Sequence, residues 1–246
     1  LENYWGNNFS NTAPFDSNSN WYWASAGKTL TAFLVGIAKD NGILSLEDSS
    51  SIFLGNGWTS LEESQESLIK IKHHLTMTTG LDYLVDNLNC TDPNCLTYKN
   101  TPGTNWFYHN ATYSLLKDVI ENTSETTYND FTNQKVKMKI GMGGSWIQSN
   151  YSNIYWSTAR DMARFGLLIL NEGVWDNQVI LSDTNYFSNM VNTSQQMNES
   201  YGYLWWLNGK DSLIPPGITF PIQTSLASNA PEDLIAGMGK NGQYLD

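Results

Sequence analysis

The strongest constraint on the fold is the apolar stretch at residues 25–42. Its apolar side chains recur at helical spacing, at Leu30, Phe33, Leu34, Ile37 and Ala38. Asn41-Gly42 supplies a left-handed stop. The pattern predicts a helix with Ser25 in its first turn. Because it is the most apolar helical segment of the chain, we expect this helix to run through the centre of a domain.

Other segments predict further helices and a C-terminal strand. The predicted helices are 67–81, 110–124 and 157–173. The last of these has Ser157 as its N-cap and ends at Gly173. Residues 1–23 and 82–107 are rich in polar and turn-forming residues and predict irregular segments. The tail LIAGMGKNGQYLD predicts a strand beside a glycine-rich turn. Without an internal repeat or linker, residues 1–246 predict a single domain.

Charge and hydropathy exclude several classes of protein. The formal net charge is −11, from 24 acidic and 13 basic residues. Nucleic acids and anionic membranes bind basic faces, so we expect neither as a partner. No apolar run approaches the roughly 18–20 residues that cross a bilayer, and so we expect no transmembrane segment. The oligomeric state is left open.

The two cysteines, Cys90 and Cys95, frame the short loop CTDPNC. This spacing can close a small disulfide, which a secreted or periplasmic compartment permits. A metal site is the alternative. It is disfavoured because the three histidines form no H-E-x-x-H arrangement and two cysteines do not complete a zinc site. We therefore expect a disulfide, a secreted or periplasmic location, and neither a metal nor another cofactor.

Two catalytic signatures overlap at the start of the apolar helix. GKT at 27–29 matches the end of a P-loop, but the first glycine of that motif would fall at Tyr22. A bulky ring there blocks close approach of the backbone to phosphate. Ser25-x-x-Lys28 instead matches a signature of acyl transfer. Residues three apart share a helix face, so a Lys28 amine of lowered pKa can reach the Ser25 hydroxyl as its base.

The Ser-x-x-Lys spacing alone is weak evidence, because Ser67–Lys70 and Ser114–Lys117 also match it. Ser114 falls inside a predicted helix, and Ser67 has no strong accompanying motif. Ser25 begins the most apolar helix, where free N–H groups and the positive dipole end favour an oxyanion. Its position favours Ser25 as the nucleophile.

Two further motifs fit the opposite walls of a cleft. Tyr-x-Asn, a phenol that relays protons with an amide that holds substrate, occurs at residues 98–100, 108–110 and 151–153. Only Tyr108-His-Asn110 follows a Pro-Gly turn and runs directly into a predicted helix. Lys-x-Gly occurs at Lys139 and at Lys240-Asn-Gly242. The second lies in GMGKNGQYL, where glycine lets a substrate approach the backbone closely.

With these motifs the chain resembles the penicillin-recognising serine hydrolases, which include class C β-lactamases, DD-peptidases and related esterases and amidases. IKHHLTMTTGL is similar to the family helix that follows the nucleophile helix. GMGGSW, STARDMARFGLLILNEGVW and YGYLWWLNGK resemble the branch of 6-aminohexanoate-dimer hydrolase and related carboxylesterases. The resemblance implies an α/β (α+β) fold of the β-lactamase/transpeptidase type, with an antiparallel sheet flanked by helices and a mostly helical lobe.

The resemblance also implies roles for the motif residues. Ser25 is expected to attack the acyl carbon of a small ester or amide, with Lys28 as its general base. Tyr108 is expected to shuttle the proton to the leaving group, and Asn110 to orient the substrate. The two tryptophans at 205–206 fit either an acyl pocket or the core.

The third motif closes the implied site. Lys240 and Gly242 stand where the family has Lys-Thr-Gly, and the N–H groups of Ser25 and Gln243 are expected to form the oxyanion hole. Asn241 replaces the usual threonine or serine of that motif. This replacement argues against a site for a β-lactam carboxylate and favours an esterase or amidase.

The family sheet uses strands before the nucleophile helix and after the third motif. This chain begins shortly before Ser25 and ends at Asp246. We therefore expect an incomplete sheet with an open edge, in a chain that is part of a longer protein and truncated at both ends. A second hypothesis follows, in which the chain is a non-catalytic or slowly acylating ligand-binding module of the same fold, similar to a penicillin-binding protein.

Overall fold

A computed structural model describes residues 2–246 and places the predicted apolar helix at the centre of the molecule. This helix, α1, spans Gly27–Asp40 and is buried from its first residue to Ala38. Gly42, with φ of 71°, follows its C-terminus. The helix is therefore confirmed, but Ser25 lies in a 3-10 turn, Ala24–Ala26, that immediately precedes it.

The other elements are short, apart from two longer helices. The helices are α2 Ser51–Leu54, α3 Glu63–Glu66, α4 Ile71–Leu75, α5 Asn110–Ser124, α6 Tyr128–Thr132, α7 Met138–Ile140, α8 Ala159–Leu170 and α9 Thr184–Met190. The strands are β1 Trp21–Tyr22, β2 Ser145–Ser149, β3 Ser152–Ser157, β4 Val174–Trp175, β5 Gln178–Val179, β6 Trp206–Leu207, β7 Ile235–Gly239 and β8 Gln243–Leu245. A 3-10 turn spans Pro93–Cys95 and a π-helical turn spans Asn133–Lys137.

The strands pair antiparallel, as predicted, and form small separate sheets. Their orders are β1-β3-β2, β4-β5 and β6-β7-β8. The segment 1–23 is not entirely irregular, because Trp21 pairs with Ser157 and Tyr22 with Trp156. The hairpin β7-β8 confirms the predicted C-terminal strand, with Gly239 opposite Gln243. The architecture is thus helices packed around small antiparallel sheets.

Helix α1 packs against α5, α9 and β7. Gly36 permits the α9 contact, because a Cβ added there would lie 2.4 Å from the ring of Tyr186. The Tyr186 hydroxyl donates a hydrogen bond to the carbonyl of Ala32 (2.6 Å), which satisfies its buried polar atom. The predicted helix 110–124 is confirmed as α5, which ends where Glu125 adopts a left-handed conformation.

Two helix predictions differ from the structure. The predicted helix 67–81 is reduced to α4, because Met77 has a φ of 59° and the Thr76 hydroxyl bonds the Lys72 carbonyl (2.9 Å). Threonine side chains compete in this way with continued helix. The N-cap of α8 is Thr158, not Ser157, which is the last residue of β3.

The disulfide between Cys90 and Cys95 is confirmed, with the two Cα atoms 5.9 Å apart. The loop that carries it passes the N-terminus of α5, where the Ala111 N–H donates to the carbonyl of Leu88 (2.8 Å). This hydrogen bond holds Leu88, two residues before Cys90, beside the first turn of α5. Within residues 2–246, every helix is too short or too polar to cross a bilayer.

Candidate active site

The turn that carries Ser25 is fixed by its neighbours on both sides. Trp23 donates its backbone N–H to the carbonyl of Tyr155 (2.8 Å) and its indole N–H to the hydroxyl of Ser157 (2.8 Å). Ala24 then adopts a φ of 49°, a conformation that costs a residue with a Cβ about 1 kcal/mol. This backbone bend leads from β1 into the 3-10 turn and sets Ser25 at the wall of a pocket.

Lys28 lies directly beside Ser25. Its Nζ donates a hydrogen bond to the Ser25 Oγ (2.9 Å), and the residue is only 2% exposed. In residues 2–246 no carboxylate forms an ion pair with it; its Nζ instead faces the rings of Tyr113 (4.0 Å to the centroid) and Tyr108 (4.8 Å). Burial lowers the pKa of Lys28 to about 7. A neutral amine at this position can accept the Ser25 proton near neutral pH.

Tyr108 lies with Ser25 in the wall of the same pocket. Burial raises the pKa of Tyr108 above its usual value, and a hydrogen bond to the Ser25 side chain opposes that rise. Its ring stacks on Trp206, with centroids 5.8 Å apart and planes 20° apart. The phenol is therefore held protonated in the pocket wall that also carries Ser25, as a proton donor for a leaving group must be.

Asn110, the first residue of α5, lines the pocket beside Tyr108. Its side-chain Oδ1 is buried and has no hydrogen-bond partner within residues 2–246. An unpaired buried acceptor costs free energy, which a donor on a bound molecule would recover. The structure thus leaves an acceptor available where the sequence predicted a substrate contact.

The competing Ser-x-x-Lys matches do not form Ser–Lys pairs. The Ser114 hydroxyl donates to the carbonyl of Asn110 within its own helix (2.9 Å). Ser67 bonds the Ser64 carbonyl (3.2 Å), and Lys70 pairs with an exposed glutamate. Of the three matches, the one at Ser25 is the pair that the structure forms.

A pocket of about 490 Å³ brings most of the predicted site residues together. Its wall includes Ser25, Tyr108, Asn110 and Lys240, with Lys28 packed behind Ser25. The pocket thus collects residues from three separate parts of the chain.

Gly242 and Gln243 lie outside this pocket wall. The reason is the tight hairpin, in which β8 turns back beside β7 and carries Gln243 opposite Gly239. Gln243 lines a neighbouring groove with Trp21 and Trp23, and its side chain donates to the Asn241 carbonyl (3.1 Å). The role of Gln243 as an oxyanion donor through its backbone N–H stays a prediction.

The end of β7 lies directly against the 3-10 turn Ala24–Ala26, called the nucleophile turn because it carries the predicted nucleophile Ser25. A Cβ added to Gly239 would lie 2.4 Å from the Trp23 carbonyl oxygen and 3.1 Å from the Ala26 nitrogen. Only glycine permits so close an approach of the two backbones. This contact brings Lys240, the next residue, to the rim of the pocket, where its side chain is exposed.

No motif in the sequence indicated the apolar side of the pocket. Its apolar wall is formed by Leu88, Trp206, Leu213, Pro215, Pro216, Leu226 and Met238. The structure resolves the open question about the tryptophan pair, since Trp206 lines the pocket and Trp205 is 1% exposed in the core. The signal in the sequence was the uncharged stretch 212–231, which carries several of these residues.

The three histidines have structural surroundings. Burial lowers the pKa values of His73 and His74 to about 4, and it also lowers that of His109. His74 bridges the Ser50 hydroxyl (2.8 Å) and the Thr112 carbonyl (2.7 Å). In the part of the chain that the structure describes, no three histidine, cysteine or acidic side chains cluster as a metal site would require.

Solved structures share the fold at low sequence identity. A penicillin-binding protein of Bacillus halodurans is 18% identical, with a TM-score of 0.65 over 84% of this chain and 76% of its own. A β-lactamase/D-alanine carboxypeptidase of Pseudomonas syringae is 18% identical, with a TM-score of 0.63 over 93% of this chain and 75% of its own. A D-stereospecific amidohydrolase of Streptomyces is 14% identical, with a TM-score of 0.59 over 77% and 71% of the two chains.

The sequence itself matches a family model. No curated protein sequence matches the chain significantly. The family model for β-lactamase, in contrast, matches residues 1–227, which is most of the chain and includes the Ser25, Lys28 and Tyr108 motifs. Together with the shared fold, this match confirms the resemblance seen in the sequence. The chain belongs to the β-lactamase family of serine hydrolases.

Proposed function

We propose that this chain cleaves small esters or amides through an acyl-enzyme on Ser25. The observation that carries the proposal is the buried Lys28 amine, 2.9 Å from the Ser25 Oγ and without a carboxylate partner in residues 2–246. A lysine placed only for stability would be paired or solvated, because an unpaired buried ammonium is costly. Its position beside a hydroxyl fits a general base.

The proposed reaction begins when neutral Lys28 accepts the Ser25 proton and the Ser25 Oγ bonds to the substrate's acyl carbon. The carbonyl oxygen takes up the electron pair and becomes the tetrahedral oxyanion. When the carbonyl re-forms, the bond to the leaving oxygen or nitrogen breaks, and Tyr108 donates the proton that this atom needs. Tyr108 recovers a proton from Lys28, which restores the neutral amine. Water then attacks the acyl-enzyme by the same steps and releases Ser25.

The oxyanion requires two backbone donors. We propose the N–H of Ser25 as the first, as the sequence suggests. For the second we favour the N–H of Lys240 over that of Gln243, because the Gly239–Lys240 strand end lines the pocket and Gln243 does not. Loss of one such donor typically lowers turnover about 10²–10³-fold.

The third motif supports esters or amides over β-lactams as substrates. Asn241 does not line the pocket, and its side-chain amide donates to the Tyr22 hydroxyl (2.7 Å). It therefore does not offer the hydroxyl contact that threonine or serine gives in the related motif. An amide substrate also fits the unpaired Asn110 acceptor.

The test is labelling with a fluorophosphonate together with hydrolysis of p-nitrophenyl esters and anilides. Ser25→Ala is expected to abolish labelling and to lower kcat at least about 10³-fold. Ser114→Ala is the matched control, since Ser114 has the same Ser-x-x-Lys spacing but bonds its own helix, and it should keep full activity. A Ser25→Ala protein as active as the parent would refute the proposal. Stoichiometric acylation of Ser25 without turnover would support the binding-module hypothesis instead.

A further inference from the structure

We propose that the uncharged loop 212–231 forms a binding wall for an aliphatic chain, so that the preferred substrates are uncharged esters or amides that carry one. This inference rests on the proposed function and specifies its substrate class. The loop connects β6 to β7 and passes over the pocket that contains Ser25.

The loop differs in composition from the rest of this acidic chain. Between Asp211 and Glu232 the sequence is SLIPPGITFPIQTSLASNAP, which contains no acidic, basic or histidine residue. Elsewhere the chain carries enough acidic residues to give a net charge of −11. A long uncharged stretch beside the nucleophile removes charges that would repel or solvate a substrate.

The loop places its apolar side chains against the pocket rather than only in solvent. Leu213, Pro215 and Leu226 line it and face Trp206 and Met238 from the strands β6 and β7. Among the described residues, Lys240 at the exposed rim is the one charged side chain in the wall. Such a wall gains free energy from buried alkyl surface and offers no counter-charge in its interior.

Two asparagine side chains hold the loop in place. Asn208 accepts from the Ala227 N–H (2.9 Å) and donates to the Pro231 carbonyl (2.8 Å), so it closes the base of the loop. Asn198 is buried and bonds both the N–H and the carbonyl of Ile214 (3.1 Å each). The wall is therefore formed before a substrate arrives, and binding need not order it.

The experiment compares p-nitrophenyl esters from acetate to octanoate, and alkyl acetates of increasing alcohol length. We expect kcat/KM to rise about threefold per added methylene in at least one series, until the chain exceeds the pocket. Each rate is divided by the rate of hydroxide hydrolysis of the same ester, which removes intrinsic reactivity. A p-nitrophenyl ester of hexanoate should exceed its ω-carboxylate analogue, the adipate monoester, at least about tenfold.

Three variants test whether the preference for longer aliphatic chains comes from the loop. Leu213→Asn and Leu226→Asn should each lower the hexanoate-to-acetate ratio of kcat/KM at least about fivefold. Phe220→Asn is the matched control, because Phe220 is on the same loop but 61% exposed and outside the pocket wall, and its ratio should be unchanged. Near-UV circular dichroism checks that each variant is folded. Because two pocket positions are substituted separately, the test still stands if one of the two variants fails to fold.

Failure of this inference is distinguishable from failure of the proposed function. Hydrolysis of acetate esters at Ser25 with no dependence on chain length in either series would overturn the aliphatic wall and leave the serine hydrolase intact. Preference for the carboxylate analogue would also overturn the aliphatic wall without overturning the serine hydrolase, and it would assign substrate selectivity to Lys240. Absence of both hydrolysis and labelling at Ser25 would overturn both.

Discussion

The nucleophile turn and the loop 212–231 form facing parts of one pocket, and their chemistry is opposite. Behind the turn, helix α1 buries an amine, since Lys28 is 2% exposed and the helix is buried from Gly27 to Ala38. The loop does the reverse, exposing apolar residues such as Phe220 and Ile222, which are 61% and 41% exposed. One region thus buries a side chain that is usually exposed, and the other exposes side chains that are usually buried. The exposed apolar residues of the loop lie outside the pocket wall, whereas its Leu213, Pro215 and Leu226 form part of that wall, across from Ser25.

The two regions are also held by different means. The nucleophile turn is fixed by core packing and by backbone contacts that need Gly239. The loop is fixed by the side-chain amides of Asn198 and Asn208. Substitutions should therefore separate the two contributions, with effects on chemistry at the turn and effects on substrate preference at the loop.

The largest effect is expected for Lys28→Met, which keeps the length of the side chain and removes the amine. We expect kcat to fall at least about 10³-fold. The free energy of unfolding should rise by up to about 5 kcal/mol at pH 7 and below, because burial lowers the pKa of Lys28 from 10.5 to about 7. The folded state therefore resists protonation more than the unfolded chain does. This penalty is complete below pH 7 and fades as the pH rises to 10.5.

Urea unfolding near pH 6 and steady-state kinetics measure the two effects of Lys28→Met. Lys39→Met is the matched control on the same helix, because Lys39 is partly exposed and paired with Asp183. It should show no gain in stability and no loss of kcat. A Lys28→Met protein less stable than the parent would contradict the cost assigned to the buried amine.

An effect of intermediate size is expected from pH. Because Lys28 must be neutral to accept the Ser25 proton, kcat/KM should rise about tenfold per unit below pH 7 and level off above it. Burial also raises the pKa of Tyr108, so its proton should be retained well into the alkaline range. Rates with a neutral ester, measured from about pH 5 to about pH 9, give the profile. An inflection near the ordinary lysine value would refute the depressed pKa.

The smallest effect is expected for Asn208→Ala, which releases the base of the loop without touching the pocket wall. Loss of its hydrogen bonds should lower the free energy of unfolding by about 1 kcal/mol. KM for a hexanoate ester should rise about fivefold, while kcat for acetate stays within about twofold. Asn229→Ala, an exposed asparagine of the same loop, should change neither value. An equal loss of kcat/KM with the hexanoate and acetate esters would show that the loop stabilises the turn that carries Ser25 and does not determine substrate preference.

The parts of the site that the sequence predicted are those set by local geometry. Helical spacing joins Ser25 to Lys28, and the short Cys90–Cys95 spacing allows a bridge. The pairing of Tyr108 with Ser25 joins distant parts of the chain and was expected from the family resemblance alone.

What the sequence did not predict depends on contacts between distant segments. The apolar wall exists because Asn198 and Asn208 anchor a loop that has no periodic pattern of its own. The role of Gln243 was expected from the family resemblance, and the predicted glycine-rich turn does not by itself give the register that pairs Gln243 with Gly239. The shortened helix at 67–81 shows how threonine hydroxyls and one positive φ, at Met77, override a helical pattern.

The Cys90–Cys95 bridge has a consequence beyond local order. It closes a loop that begins two residues after Leu88, whose carbonyl accepts from the start of α5 and which is itself part of the pocket wall. We expect reduction of the bridge to loosen the chain next to this side of the pocket, although no sulfur atom takes part in the chemistry. We propose that the chain matures in an oxidising compartment, secreted or periplasmic, where thiol reductants do not reach this side of the cleft.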